Sequence, residues 1–465
     1  MICEIAARGL NQRRASFADF GWAKWANARE FEVGSREPRV AAGLSTAFPL
    51  KSRDGMLWMR AGEFAALEVR DEMTSTIAGF KFAAVSAGIR KDGRVDTALA
   101  VADRPAVVAA LFTRNLVRAA PVLVAEERVR SGLARAILVN AGCANACTGE
   151  AGLTAARETT EAIARAVGCP VNEVLPASTG VIGQLLPTAK INAKAKELAK
   201  GITPEGYELF AQAICTTDRW VKIAEAQVET AKGPVSVLGI AKGAGMIHPD
   251  VGPPQATMLV FLFTDAVINR EELESALVQA SDKTFNACSV DGDTSTNDSV
   301  IALASAASNI RVTAAEILPA FHSVCDKLAR SMIADGEGAN HVAEIKVRGL
   351  ASEADAKRVA STVATSLLVK TALHGKDANW GRLFAAAGRA GVHFEVNQAS
   401  ISIGGVEIVK NGLSTGAEAE KAASESLKGP SYVIELALGT GPGEFTYLTC
   451  DLGHGYVDVN ADYRS

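Results

Sequence analysis

The chain has 465 residues, enough for two or three domains and for an interior that shields a reacting group from water. Its 48% hydrophobic and 6% aromatic content reads as an Ala- and Gly-rich globular protein and excludes a disordered or fibrous chain. A net charge of −4, from 48 basic against 52 acidic residues with no dense basic run, excludes nucleic acid as a partner, and the apolar stretch 251–264 is shorter than the ~18 residues of a membrane span.

In chain order, residues 1–75 come first, with Arg13, Arg14, Trp22, Trp25 and Arg29 in no sustained period. They read as an accessory extension, disordered or outside the natural start, with Met73 as an alternative first residue. Glu4, Asp19, Glu30, Glu32 and Glu37 argue against a transit peptide. From Gly79 onward, apolar segments at 136–139 and 257–264 alternate with helical stretches at 154–167 and 193–200, which predicts an α/β chain. A helix starts at Arg270 with acids in its first turn, and a boundary falls near Asn269. The segment 344–369 and strands at 400–409 and 432–437 form a remaining domain. Glycine turns punctuate the chain at Gly142, Gly180, Gly243, Gly292, Gly336, Gly375 and Gly439.

Eight cysteines scattered over so long a chain lack the density of a secreted disulfide scaffold and fit a reduced cytoplasm. Cys143 and Cys147 have no second Cys/His pair nearby to close a zinc site, so no metal is expected. The loop Asp291 to Asp298 lacks a Gly at its sixth position and has Ala302 where a calcium loop needs Glu. His248 takes the third glycine place after Gly243 and Gly245, which removes a dinucleotide fingerprint. No cofactor is expected.

A Gly- and Pro-rich loop, 242–256, runs straight into the apolar segment that begins at Thr257. A threonine hydroxyl is a weak nucleophile until a base takes its proton, and a free α-amino group, with a pKa of about 7.7–8.0, is such a base near neutral pH. Cutting between Ala256 and Thr257 creates that amine beside the hydroxyl. Most strand-initial threonines only satisfy β-propensity, so the pattern alone does not decide.

The segments Lys242-Gly-Ala-Gly-Met-Ile-His-Pro-Asp250 and Ala256-Thr257-Met-Leu259 resemble the autoprocessing region of the ArgJ family, the glutamate/ornithine N-acetyltransferases. Further stretches resemble the family in the same order: Asn140 to Gly149, Ser178 to Gly183, Cys215-Thr-Thr-Asp218, Val290 to Asp298, Asp335-Gly-Glu-Gly-Ala339, Asp377 to Arg382 and Asp451 to Ser465. Gly252-Pro-Pro-Gln255 departs from the family spacing and reads as an insertion before the cut. The resemblance implies a layered α/β fold of the ArgJ/DmpA type, with mixed sheets, flanking helices and a smaller C-terminal α/β domain. It implies self-cleavage into fragments 76–256 and 257–465 assembled as α2β2, and acetyl transfer from N-acetylornithine to glutamate through acetyl-Thr257. It assigns Thr179 and Gly180 to the oxyanion hole, and Thr216 or Thr217, Lys242, Thr257, Glu337, Asn460 and Ser465 to substrate binding. Acetyl-CoA is open as a co-substrate, and a self-processed aminopeptidase of related fold is the alternative.

Overall fold

A computed structural model describes residues 69–70, 76–248, 251–252 and 258–462. The expected α/β architecture is present, with two mixed sheets and flanking helices. The larger sheet runs Val69–Arg70, Lys222–Thr230, Gly233–Lys242, Leu259–Thr264, Ser299–Ala304, Thr97–Thr113, Leu133–Cys143 and Val174–Val181. Phe80–Val85 and Val251–Gly252 also pair with Thr97–Thr113.

Thr97–Thr113 folds this sheet into two layers. Its first half pairs with Phe80–Val85 and its second with Ser299–Ala304, and its register against Leu133–Cys143 breaks between Val101 and Ala106. Asp103, Arg104 and Pro105 are exposed at that corner, where proline cannot donate to a ladder. The two layers share one core: Phe80 and Phe82 from the first meet Phe263 from the second, with ring centroids 5.1 and 5.0 Å apart. Strict alternation lets both faces be buried. Leu259, Phe261 and Phe263 point between the layers, while Val260 and Leu262 point to an outer core under helices Arg270–Lys283 and Ala314–Ala334. Helices Gly149–Val167 and Thr188–Lys200 cover the opposite outer face.

Helices Arg270–Lys283 and Ala314–Ala334 start where the sequence supplies caps. Asn269 accepts the Glu272 N–H at 2.8 Å, and Thr313 and Glu316 form a reciprocal capping box. Of the strand read at 257–264, Leu259–Thr264 is described, with Leu259 facing Lys242 on one side and Ser299 on the other.

The second sheet runs Cys288–Ser289, Gly443–Cys450, Val342–Leu350, Ser431–Ala437, Ser400–Ile403, Val406–Lys410 and Leu413–Ser414. Helices Glu353–Ala364, Leu367–His374 and Trp380–Gly388 pack on one face of it. After Gly443–Cys450 the described chain ends in helix His454–Asp462, which returns toward the larger sheet's open end. No described helix is long and apolar enough to cross a membrane.

Candidate active site

A cavity of about 430 Å³ opens at that end and is lined by Thr179, Gly180, Thr216, Thr217, Lys242, Glu337 and Asn460. Met258 and Leu259, the residues just past the expected cut, line it as well. The structure therefore brings together seven predicted site residues from five separated stretches. Ala256, Thr257 and Ser465 lie outside the described residues, as does the expected insertion beyond Gly252. Of the expected extension 1–75, the described part is Val69–Arg70, which pairs with Val228 and Gln227.

Thr179 and Gly180 end the strand Val174–Val181, which runs parallel to Leu133–Cys143 with Gly180 level with Gly142. Gly180 has φ +128°, and a Cβ there would lie 2.4 Å from the Gly142 carbonyl carbon. Only glycine fits both the dihedral and the close approach, and Gly180 lies beside Thr179 on the cavity wall.

Lys242 ends Gly233–Lys242 in the facing layer, is buried, and donates to Thr216 Oγ1 at 2.9 Å and to Thr179 Oγ1 at 3.2 Å. An ammonium only donates, so both hydroxyls keep their own protons to give to an anion in the cavity. Behind it lies a buried charge cluster that sequence reasoning missed. Asp218 accepts from Thr216 N, Gly243 N and Lys222 Nζ at 2.9, 2.7 and 2.7 Å, and Lys222 Nζ also donates to Asp335 at 2.6 Å. Burial alone would push the Asp218 carboxyl up, but Lys242, Lys222 and the Gly243 N–H outweigh it and hold it at about 2.

Asp335 opens the turn that carries Glu337. The Glu337 N–H donates to Ala244 O at 2.8 Å, and its carboxylate lies over Gly245, where a Cβ would sit 2.2 Å from Oε2. Asn460 Nδ2 donates to Glu337 Oε2 at 2.8 Å, which ties the last helix to this turn. Gly338, at φ +70°, allows that helix its approach: a Cβ there would lie 2.2 Å from Tyr456 N. The cavity thus offers a cation, a carboxylate and two facing hydroxyls, a set suited to an amino acid with an acyl group.

Asp291 and Asp298, at the ends of the loop that fails as a calcium site, also line the cavity. Asp298 is buried, one carboxyl oxygen has no partner among the described residues, and burial raises its pKa well above the ordinary value. Asp291 accepts from Met246 N and Ile247 N at 2.6 and 2.9 Å, yet burial outweighs these bonds and pushes it up to about 6. An acid raised from about 3.9 to 6 holds more protons folded than unfolded between those values, so its contribution to stability falls as pH rises through the window. Asp291→Asn stays neutral. The melting-temperature difference, variant minus wild type, is expected to grow from pH 4 to pH 7; a constant or shrinking difference would contradict this. His248 does not line the cavity; its Nδ1 lies 3.4 Å from the Tyr447 hydroxyl.

A family model described as the ArgJ family matches residues 81–465. The arginine biosynthesis bifunctional protein ArgJ of Nitratidesulfovibrio vulgaris is 44% identical over 397 residues, covering 84% of this chain and 100% of that protein. Proteins of the same name from Geobacter sulfurreducens and Desulfotalea psychrophila are 44% and 45% identical over 396 and 395 residues, again covering 84% of this chain and all of theirs.

Proposed function

The chain belongs to the ArgJ family, and from that premise we propose that it moves the acetyl group of N-acetylornithine to glutamate in arginine biosynthesis. The observation that carries this reading is the convergence of Thr179, Gly180, Lys242 and Glu337 on one cavity that Met258 also lines. In the proposed sequence, the Thr257 hydroxyl attacks the Ala256 carbonyl, the C–N bond breaks with the proton going to the Thr257 nitrogen, and water hydrolyses the resulting ester. The freed amine then serves as base. N-acetylornithine acylates the Thr257 oxygen and ornithine leaves with a proton. The glutamate amine next attacks the acetyl ester, giving N-acetylglutamate and restoring the hydroxyl. At each tetrahedral stage the Thr179 hydroxyl and Gly180 N–H face the developing oxyanion.

The fragments 76–256 and 257–465 stay together in this reading, as the halves of an α2β2 assembly in the cytoplasm. Leu259–Thr264 is hydrogen-bonded between Gly233–Lys242 and Ser299–Ala304, and the latter pairs with Thr97–Thr113, so strands of the two fragments interleave. Acetyl-CoA fits the same acetyl-threonine intermediate as a second donor.

Purified protein incubated with N-acetylornithine and labelled glutamate is expected to form labelled N-acetylglutamate and one equivalent of ornithine without added cofactor. Release of acetate or of amino acids from short peptides, with no labelled product, would overturn the reading. Replacing N-acetylornithine by acetyl-CoA in the same assay tests the second donor.

A further inference from the structure

An oxyanion hole works only if its donors are fixed relative to the attacking oxygen, and here the donors and the strand Leu259–Thr264 past the cut come from different layers of the sandwich. Thr179 and Gly180 end a strand of one layer. The strand that begins just past the cut, Leu259–Thr264, belongs to the other, where it runs parallel to Ser299–Ala304 with Ser299 level with Leu259 and its N–H on Met258 O at 2.8 Å. The gap between the layers at this end has to be set by something stiff.

Asn297 stands in that gap. It lies two residues before Ser299, is 6% exposed, and lines the cavity. Its Nδ2 donates to Ala144 O at 2.6 Å and to Ser178 O at 2.9 Å, both in the opposite layer. Its Oδ1 accepts from the Thr296 hydroxyl at 2.6 Å. Two carbonyls against one side-chain atom fix the amide's orientation, since only the NH2 end can satisfy both. Ser178 is held from its own side too: its hydroxyl donates to Asn140 Oδ1 at 2.6 Å, and Asn140 Nδ2 donates to Cys143 O at 2.8 Å. The residue immediately before Thr179 is thus gripped from both layers.

We propose that Asn297 is a positioning residue for acyl transfer, a spacer that holds the Thr179–Gly180 donors at a fixed distance from the strand of the nucleophile. This rests on the acetyl-transfer reading above. Asn297 touches no reacting atom; it acts through the Ser178 and Ala144 carbonyls. Asn297→Ala removes both donors, and Asn297→Asp keeps the shape while placing an acceptor against two carbonyls. Both variants are expected to slow self-cleavage and transfer together, because both reactions pass through an oxyanion.

The test uses the full chain and reads the half-time of cleavage on a denaturing gel, kcat and KM for N-acetylornithine, and the melting temperature. Asn297→Ala is expected to lower kcat by about 10–100-fold, part of what loss of a direct donor costs, with KM changed less than about twofold. Combined with Thr179→Ala it should be within about threefold of Thr179→Ala alone, since residues acting as a unit are not additive. A lower melting temperature with unchanged kcat and cleavage would overturn the assignment, as would additive losses in the double variant or a rise in KM alone. An inactive wild type would instead overturn the acetyl-transfer reading, and this assignment with it.

Discussion

Thr257→Ala is expected to leave one full-length band on a denaturing gel, where wild type gives two fragments, one ending at Ala256 and one starting at Thr257, and to abolish acetyl transfer. Both losses have one cause: alanine has no hydroxyl to attack the Ala256 carbonyl, so the ester never forms and the amine that serves as base is never exposed. Removing a nucleophile that works as part of a unit costs about 10⁴-fold or more, with residual rate supplied by the oxyanion donors and binding. Thr257→Ser separates the two requirements. It keeps a hydroxyl, so cleavage should persist at a reduced rate and transfer should remain measurable. A Thr257→Ala protein that still transfers acetyl groups, or that still yields two fragments, would falsify the nucleophile assignment.

The same chemistry explains why cutting the backbone need not cost the fold. The described strand after the cut, Leu259–Thr264, is buried along its whole length and bonded on both edges. Its side chains join two cores, one between the layers and one under the helices Arg270–Lys283 and Ala314–Ala334. Separating the fragments would expose all of this surface, at about 25 cal/mol for each Å² of apolar area.

Much of the fold was legible from periodicity and capping. Asn269 followed by two acids reads as a helix start and is one. The apolar segment read from Thr257 is described as a strand from Leu259, where pairing with Lys242 begins among the described residues. The predicted site residues converge although they are far apart in sequence, which local pattern could not foresee; the motif resemblance supplied them. Asn297 lies inside the motif Val290 to Asp298, but nothing local shows that its amide reaches another layer. Lys222 did leave a signal: it holds the inward phase of the alternation that buries Ala224, Ala226 and Val228. A charge at an apolar-phase position implies buried partners, and Asp218 and Asp335 stood at the ends of two recognised motifs.

Lys222→Met is expected to cost roughly 3–5 kcal/mol of stability, the usual penalty for breaking a buried ion pair by removing one partner. Methionine fills most of the same volume, so packing is nearly conserved and the loss is electrostatic. The Lys222, Asp218 and Asp335 side chains are all fully buried, and Lys222 neutralises both carboxylates. Without it, Asp335 retains Arg219 at 2.9 Å, and Asp218 depends on Lys242, the cation that also holds the Thr179 and Thr216 hydroxyls. Denaturant titration should show a lower midpoint at nearly unchanged slope. The pH dependence should change with it. A carboxyl held at about 2 stabilises the fold above its unfolded value of about 3.9 and loses that contribution as pH falls from about 4 to 2. In the variant this acid-labile part should shrink. Asp218→Asn added to Lys222→Met removes one orphaned charge and should recover part of the loss. A single variant as stable as wild type would show that the cluster is not held by charge. Because Asp218 anchors the N–H groups of Thr216 and Gly243, and Asp335 opens the turn bearing Glu337, the variant should also raise KM for N-acetylornithine, tying the stability of this buried cluster to the shape of the cavity in front of it.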